Sequence, residues 1–265
     1  RYLSPNSPGN AQIAGSQSGQ SKPGLNLQNL RDFLIAQPPT LAEQEVIAGA
    51  LSDADALIDS LEQLIAKKRL LKQGAMQDLL TGKKRLPGFE GEWEVKRLGA
   101  VCSLKSGESI TAAIIDDHSR YPCYGGNGLR GFTTRFTHDG NYALIGRQGA
   151  LCGNVMGVSG QFFASEHALV VTPQATTDIR WLTFVLGEMN LNQYSESSAQ
   201  PGLSAAKLLV LEVPCPSTKS EQTAIAAILS DMDAGIAALE AKLAKARQVK
   251  QGMMQELLTG RTRLI

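Results

Sequence analysis

Three short polar segments carry the side chains best suited to contact a ligand, and all three lie in the middle of the chain. Residues 121–131 contain several glycines and one asparagine, which frees the backbone for positive φ and lets its amides approach a ligand. Residues 145–150 present Arg147 and Gln148 between glycines, and residues 195–203 form a polar loop that ends in a Pro-Gly turn. Because Arg reads guanine and Gln reads adenine in the major groove, this composition favours recognition of DNA bases.

Each segment also has an ordinary structural explanation. The glycines can form tight turns, Arg147 can pair with a carboxylate, and the serines of 195–203 can simply be solvated. For each segment taken singly, this structural explanation is favoured over ligand binding. Their clustering in one small region favours a binding site.

Motifs for chemistry are absent from the sequence. The glycine-rich segment lacks the Gly-Lys-Ser/Thr of a P-loop and the spacing of a dinucleotide fingerprint. Glu166 and His167 could act as a base with its neighbour, but no serine elbow or Cys/His arrangement accompanies them, so a structural histidine is expected. No adenine-methylation motif and no nuclease triplet occur. Any methylation or cleavage is therefore expected from another chain.

The four cysteines predict neither a metal site nor a disulfide framework. Cys102, Cys123, Cys152 and Cys215 are far apart and lack paired spacing. We expect reduced thiols in a cytoplasmic protein. The sequence has no apolar run near the length of a membrane span and no visible signal peptide, so no membrane association is expected.

The elements that must position these segments are organised by an internal repeat. Residues 38–86 align without a gap to the segment 178 positions later, and 28 of 49 positions are identical. Both copies have a Pro-rich entry, a Thr cap with Glu three residues later, and a body rich in Ala, Leu, Lys and Gln. Each copy is therefore expected to form a helix of about 40 residues that ends at Gly82 or Gly260.

Both helices carry an apolar stripe with spacings of three and four residues, which is typical of a coiled-coil seam. Two such apolar stripes in one chain are buried most simply by packing the two helices against each other. Antiparallel packing would give the pair approximate twofold symmetry. The alternative is that each helix packs on its own domain. The residues expected to pair, or to dock partners, are Leu51, Ile58, Leu61, Ile65, Leu229, Met232, Ile236, Leu239 and Leu243.

Residues 87–213, between the two copies, are predicted to be a mixed domain. Short strands are expected within 142–145, 155–158 and 168–171, with one helix over 181–191. The fold class is therefore α+β, a mixed α/β domain plus two long helices paired as an antiparallel coiled coil. This middle stretch has nine basic and twelve acidic residues, so any positive field for nucleic acid must be local.

The whole pattern resembles the specificity subunit of type I restriction-modification systems. The resemblance is carried by Tyr121-Pro122 with the following Tyr-Gly-Gly-Asn-Gly, by 145–150, by Glu166-His167-Ala168, by 199–203 and by the repeated helices that end in Leu-Leu-Thr-Gly. It implies a non-catalytic DNA-recognition subunit that reads half of a split site. It implies that two methyltransferase subunits dock on the helices and that a further subunit, which translocates and cleaves DNA, joins the complex for restriction. The chain itself would hold no cofactor and no metal, and S-adenosylmethionine would be carried by the methyltransferase.

The repeat and the resemblance together divide the chain into four parts. Residues 1–37 would be the end of a first target-recognition domain, 38–86 the first helical spacer, 87–213 a complete second target-recognition domain, and 214–265 the second spacer. The sequence is therefore expected to be incomplete at its N-terminus, unless a half-size subunit dimerises. The expected DNA contacts are Lys105, Ser109, Asn127, Arg130, Arg135, Arg147, Gln148, Ser198, Gln200 and Lys207.

Two other functions remain open on the sequence alone. In one, the protein is a coiled-coil adaptor that holds partner proteins and does not bind DNA. In the other, the chain is an independent enzyme, which the absent motifs make the weakest of the three.

Overall fold

The computed structural model describes residues 8–16, 27–35, 37–149, 151–195 and 202–264. Two of the helices within these residues are much longer than the rest. The helices are α1 (Pro8–Ser16), α2 (Leu27–Arg31), α3 (Leu41–Leu79), α4 (Leu98–Val101), α5 (Ile179–Glu188), α6 (Ala205–Leu209) and α7 (Lys219–Leu257). The strands are β1 (Glu94–Arg97), β2 (Cys102–Ser106), β3 (Tyr121–Gly125), β4 (Gly128–Thr133), β5 (His138–Gly146), β6 (Val155–Ala164), β7 (Ala168–Pro173) and β8 (Glu212–Cys215). None of the described helices is both long enough and apolar enough to cross a membrane.

The predicted α+β class is confirmed, and so are the strands expected within 142–145, 155–158 and 168–171. The predicted helix over 181–191 is too long at its C-terminal end. Asn190 adopts a left-handed conformation with φ of 47°, and the chain continues as a 3-10 turn over Leu191–Tyr194. Asparagine tolerates this conformation better than most residues, which explains why α5 ends before it.

The long helices α3 and α7 have 39 residues each, which confirms the length expected from the repeat. Their first turns are capped as predicted, because the hydroxyls of Thr40 and Thr218 accept the N–H groups of Glu43 and Glu221 at 3.2 and 3.3 Å. Beyond their C-terminal ends, Gly82 and Gly260 have φ values of +73° and +72°, a conformation that favours glycine.

The chain divides into two compact units, residues 1–66 with 237–265, and residues 67–236. In the first unit, ion pairs join α3 to α7 in antiparallel order. Asp55 pairs with Lys250, and Glu62 pairs with Arg247 at 2.7 Å. As α3 advances, its partners on α7 move backwards along the chain, which confirms the antiparallel arrangement expected from the sequence.

In the second unit, the C-terminal part of α3 and the N-terminal part of α7 are joined in the same way. Lys72 pairs with Asp233 at 2.5 Å, a pair that is equivalent under the repeat to the pair of Asp55 with Lys250. Glu221 accepts from Nε of Arg85 at 2.6 Å, and its repeat equivalent Glu43 is bound by Arg263. The repeat therefore preserves ion pairs as well as the apolar stripe.

The apolar stripe faces inward along both helices. Five of its nine predicted residues are buried, namely Ile58, Leu61, Ile65, Leu229 and Ile236. The other four, Leu51, Met232, Leu239 and Leu243, are half-buried.

A six-stranded sheet with the order β2-β7-β5-β6-β3-β4 forms the centre of the second unit, and a small sheet pairs β1 with β8. The pairings are antiparallel except that of β3 with β6. Trp181 and Leu182 of α5 are fully buried in the core, which also contains Ile145 of the sheet and Leu229 of α7. The sheet domain is therefore built directly onto the start of α7.

Asp178 connects α5 to α7 within the second unit. Its carboxylate accepts the N–H groups of Arg180 and Trp181 and the hydroxyl of Thr223, while its own N–H donates to the side chain of Gln222. Burial opposes ionisation of this carboxyl. The hydrogen bonds from Thr223, Trp181 and Arg180 more than offset burial, and the pKa of Asp178 is lowered below its ordinary value.

Asp178→Asn is expected to destabilise the protein by about 1 kcal/mol near pH 7, because an amide retains the cap geometry but loses the charge-assisted bonds. Since the pKa is lowered on folding, the stabilisation is present above the unfolded value of about 4 and is lost as the pH falls through the folded value. Urea unfolding of both proteins at neutral and acidic pH measures this. A difference in unfolding free energy that is the same at both pH values would contradict the assignment.

Candidate nucleic-acid interface

The backbone of Arg147, directly after β5, is held on both sides. Its N–H donates to the carbonyl of His167, and its carbonyl accepts the N–H of Leu203, both at 2.9 Å. Gln148 forms an isolated antiparallel bridge with Gly202. The segment that carries Arg147 and Gln148 is therefore fixed between the β6–β7 turn and the segment that precedes α6.

The side chain of Arg147 is fixed by β2. Its guanidinium donates to Oγ of Ser106, the last residue of β2, at 2.7 Å. A guanidinium has five N–H donors in a planar fork, so one bond to a hydroxyl orients it and leaves donors for an outside acceptor. The geometry therefore suits an arginine that is preorganised to bind a base edge or a phosphate.

The side chain of Gln148 belongs to a short polar chain. Its Oε1 lies 2.9 Å from Nδ1 of His167, and Nε2 of His167 lies 3.2 Å from Oε1 of Glu166. The second oxygen of Glu166 accepts the N–H of Ile110 at 3.2 Å. Gln148 is exposed, and its amide oxygen contacts His167 of the β6–β7 turn.

The glycine-rich turn between β3 and β4 packs backbone to backbone against this segment. A Cβ atom on Gly146 would lie 2.4 Å from the carbonyl oxygen of Gly126. A Cβ atom on Gly126 would lie 3.0 Å from the carbonyl of His167 and 3.1 Å from that of Gln148. The glycines are therefore required for close approach, which brings the first two predicted segments into contact.

Gly146→Ala is expected to lower the free energy of unfolding by about 1 to 3 kcal/mol, because the new methyl group would collide with a carbonyl and force the turn away. Gly157→Ala is the matched control in the neighbouring strand, since a Cβ there would meet only Thr183 at 3.7 Å. Denaturant unfolding measures both variants. Equal stability of the two variants would contradict this packing.

A cavity of about 460 Å³ opens beside Arg147 and Gln148. Its lining also includes Ser106, Gly202 and Ser204. Hydroxyl, guanidinium and amide groups converge there, and all of them can donate hydrogen bonds. The site therefore suits a partner rich in acceptors, such as the edge of a base pair or a phosphate.

The other predicted contact residues that the structure describes are exposed. Asn127 is exposed in the β3–β4 turn next to Gly126, and Arg130 is exposed on β4. Lys105 on β2, Ser109 after β2, and Lys207 on α6 are exposed as well. Ser198 and Gln200 lie outside the described residues.

Arg135 is already engaged. Its guanidinium donates to Glu108 at 2.8 Å and lies 4.7 Å from the centre of the Phe163 ring. Both members of this ion pair are more than half exposed, so a phosphate can compete for the arginine. The nearby acidic side chains Glu108 and Glu166 limit the positive field to individual side chains.

One residue at the candidate site, Ser106, could not be predicted from the sequence, and neither could the contacts of Glu166 and His167. Ser106 contacts Arg147, His167 contacts Gln148, and Glu166 lies beside His167. Glu166 and His167 belong to the segments that carry the family resemblance, and the histidine was expected to be structural. Their position directly before β7 places them where β5 ends, because Gly146 pairs with Ala168, and this placement follows from the strand order and not from the local sequence.

The described cysteines are all free and buried. Burial raises the pKa of the Cys102 thiol to about 12 and also raises the pKa of Cys123, Cys152 and Cys215. Across the described ranges, no cluster of three or more His, Cys, Asp or Glu side chains could hold a metal ion.

Two curated proteins are similar to this chain in sequence. Over 148 residues the chain is 47% identical to the type I restriction enzyme EcoprrI specificity subunit of Escherichia coli, a match that covers 54% of this chain and 37% of that protein. Over 155 residues it is 28% identical to the putative type I restriction enzyme specificity subunit S.HindORF215P of Haemophilus influenzae, covering 57% of this chain and 40% of that protein. The chain thus spans well under half the length of these curated relatives.

The solved S subunit of the type I restriction-modification system from M. genitalium superposes with a TM-score of 0.70 at 18% identity, covering 94% of this chain and 69% of that chain. A chain from a study of complex assembly and conformational transition of the type I R-M system superposes with a TM-score of 0.56 at 17% identity, covering 94% and 67%. At these identities the likeness shows the fold.

A family model described as the type I restriction modification DNA specificity domain matches residues 90–248. This range is more than half of the chain and contains every strand of both sheets. The protein therefore belongs to the family of type I restriction modification DNA specificity domains.

Proposed function

We propose that this chain recognises one half of a split DNA sequence for a type I restriction-modification complex and performs no chemistry itself. The observation that carries the proposal is the convergence of Arg147, Gln148 and the Gly126–Asn127 turn at one edge of the sheet. Arginine, glutamine and asparagine are the side chains that read base edges, and here rigid backbone contacts hold them.

Arg147, Gln148 and Asn127 read bases in this proposal, together with Gln200. Lys105, Ser109, Arg130, Arg135, Ser198 and Lys207 bind phosphates or sugars and fix the register on the duplex. Because acidic residues outnumber basic ones between 87 and 213, few phosphates are neutralised and the affinity of this chain alone is modest. Specificity then comes from a small number of base contacts.

The partners follow from the same proposal. Residues 87–213 form the reading domain, residues 38–86 and 214–265 form helical spacers, and residues 1–37 belong to a first reading domain. Two methyltransferase subunits dock on the helices and supply S-adenosylmethionine, and a restriction and translocation subunit joins for cleavage. Methylation requires the adenine to be flipped from the stack, which is the task of the methyltransferase. This chain works in the cytoplasm, where the DNA is.

Selection from random DNA duplexes tests the proposal directly. The full chain is incubated with its methyltransferase partner, bound duplexes are recovered, and the enriched sequences are read. Enrichment of a short motif is expected in the presence of this chain, and footprinting should show protection of that motif only. The absence of any sequence-specific protection would contradict DNA recognition and favour a coiled-coil adaptor that does not bind DNA.

A further inference from the structure

The hydroxyl of Ser106 bonds to two neighbours at once. The guanidinium of Arg147 donates to Oγ of Ser106 at 2.7 Å, and the same Oγ donates to the carbonyl oxygen of Glu166 at 3.4 Å. An arginine side chain has no acceptor, so the serine accepts from Arg147, and its own proton remains for the carbonyl. The two bonds are therefore compatible, and together they orient the guanidinium.

The backbone next to Ser106 is also held in place. Ser106 pairs with Leu169 in the ladder between β2 and β7, and the N–H of Gly107 donates to the carbonyl of Ala168 at 3.0 Å. A Cβ atom on Gly107 would lie 2.2 Å from the carbonyl oxygen of Ala164, so only glycine permits this approach to the end of β6. The serine hydroxyl is therefore presented from a fixed part of the sheet.

Ser106 orients Arg147 without neutralising it. Among the residues that the structure describes, the hydrogen-bond partner of the Arg147 guanidinium is the serine hydroxyl, and no carboxylate is paired with it. Arg135, by contrast, is paired with Glu108 at 2.8 Å. A neutral partner leaves the full charge of the guanidinium and its remaining N–H donors for an outside acceptor.

We propose that Ser106 is a positioning residue that holds Arg147 for bidentate contact with guanine and thereby sets how strongly one base pair of the target is read. This rests on the proposed function, in which Arg147 contacts bases. Both residues line the cavity beside Gln148. Guanine presents two acceptors, N7 and O6, in the major groove, and a planar fork that is oriented in advance loses less entropy when it binds both. A guanidinium without this orientation still binds phosphate, so Ser106 governs selectivity more than affinity.

Competition binding tests this, with the full chain and its methyltransferase partner. A motif is first selected from random duplexes with the wild-type chain, and each position is then changed in turn. The variants are Ser106→Ala, Ser106→Thr and Ser106→Asp, each made alone and in the Arg147→Ala background. Ser103→Ala is the matched control, because Ser103 lies three residues earlier on β2 and therefore on the opposite face of the sheet. The base preference at each position is measured, and denaturant unfolding checks the fold.

Ser106→Ala is expected to lower the preference for guanine at one position by about fivefold, the effect of one hydrogen bond, and to leave the other positions unchanged. Ser106→Thr keeps a hydroxyl and should stay within about twofold of the wild type. Ser106→Asp should lose the preference at least as far as Ser106→Ala, because a carboxylate would neutralise the guanidinium. In the Arg147→Ala background, none of these changes should alter the preference further.

Equal guanine preference in the wild type and in Ser106→Ala would overturn the inference and leave the proposed function intact. A further loss of preference from Ser106→Ala in the Arg147→Ala background would also overturn it, because the serine would then act without the arginine. Retention of the preference in Ser106→Asp, or an Arg147-dependent position that is not guanine, would have the same meaning. The absence of any selected motif would contradict the proposed function itself.

Discussion

Leu61→Glu is expected to lower the free energy of unfolding by about 3 kcal/mol or more and to disrupt assembly with partner chains. Leu61 is 4% exposed, and it lies between buried Ile58 and Ile65 on the inward face of α3. A carboxylate at this position would be buried without a partner, and desolvating an unpaired charge is far more costly than losing one methylene contact. Urea unfolding and gel filtration of the complex measure the two effects.

Leu57→Glu is the matched control, because Leu57 lies on the same helix and is 46% exposed. A change there is expected to stay within about 0.5 kcal/mol. Leu239→Glu, at the repeat equivalent of Leu61, should have a smaller effect because Leu239 is only half-buried. If Leu61→Glu and Leu57→Glu leave stability and assembly equally unchanged, the inward stripe is not what holds the helices.

Arg147→Ala is expected to relax sequence discrimination by about 1 to 3 kcal/mol, which is the range for one well-placed contact to a base. Its guanidinium is oriented by Ser106, and its backbone is fixed by His167 and Leu203, so the alanine variant should keep its fold. Competition between the selected duplex and a scrambled duplex measures the discrimination, and denaturant unfolding checks the fold.

Arg130→Ala is the control for Arg147→Ala, because Arg130 is an exposed arginine that we propose to contact phosphate and not bases. It should weaken binding to both duplexes about equally and reduce the salt dependence of binding. Loss of discrimination in Arg130→Ala, with Arg147→Ala unaffected, would reverse the two assignments.

The helical framework could be predicted from the sequence because its signals are local. The threonine before each helix, the glycine after it and the apolar period are all visible along the chain, and the repeat presents each signal twice. The glutamates of the capping boxes behave differently. In a capping box the glutamate side chain accepts the N–H of the threonine that precedes the helix. Here Glu221 is bound instead by Arg85 and by the indole N–H of Trp93, and Glu43 is bound by Arg263. These partners are remote in sequence, so local pattern gives no indication of them.

At the candidate site too, contacts between residues that are remote in sequence could not be predicted from local patterns. The clustering of Arg147 and Gln148 with the glycine-rich segment indicated a binding site, although each segment taken singly had an ordinary structural explanation. The order of the six strands was not predictable, since strand pairing is non-local and several orders satisfy the same alternation. Without that order, nothing indicated that Ser106 and His167 would lie beside Arg147 and Gln148.

Mapping of methylated adenines in cells is the most direct test of whether this chain supplies sequence specificity. The methyltransferase subunit is expressed with the wild-type chain, without it, and with Arg147→Ala, and the genome is then sequenced for methylated adenine. The expected result is methylation at one split motif with the wild-type chain, none at that motif without the chain, and relaxed selection in one half of the motif with Arg147→Ala. Methylation of the same motif by the methyltransferase alone would contradict the account.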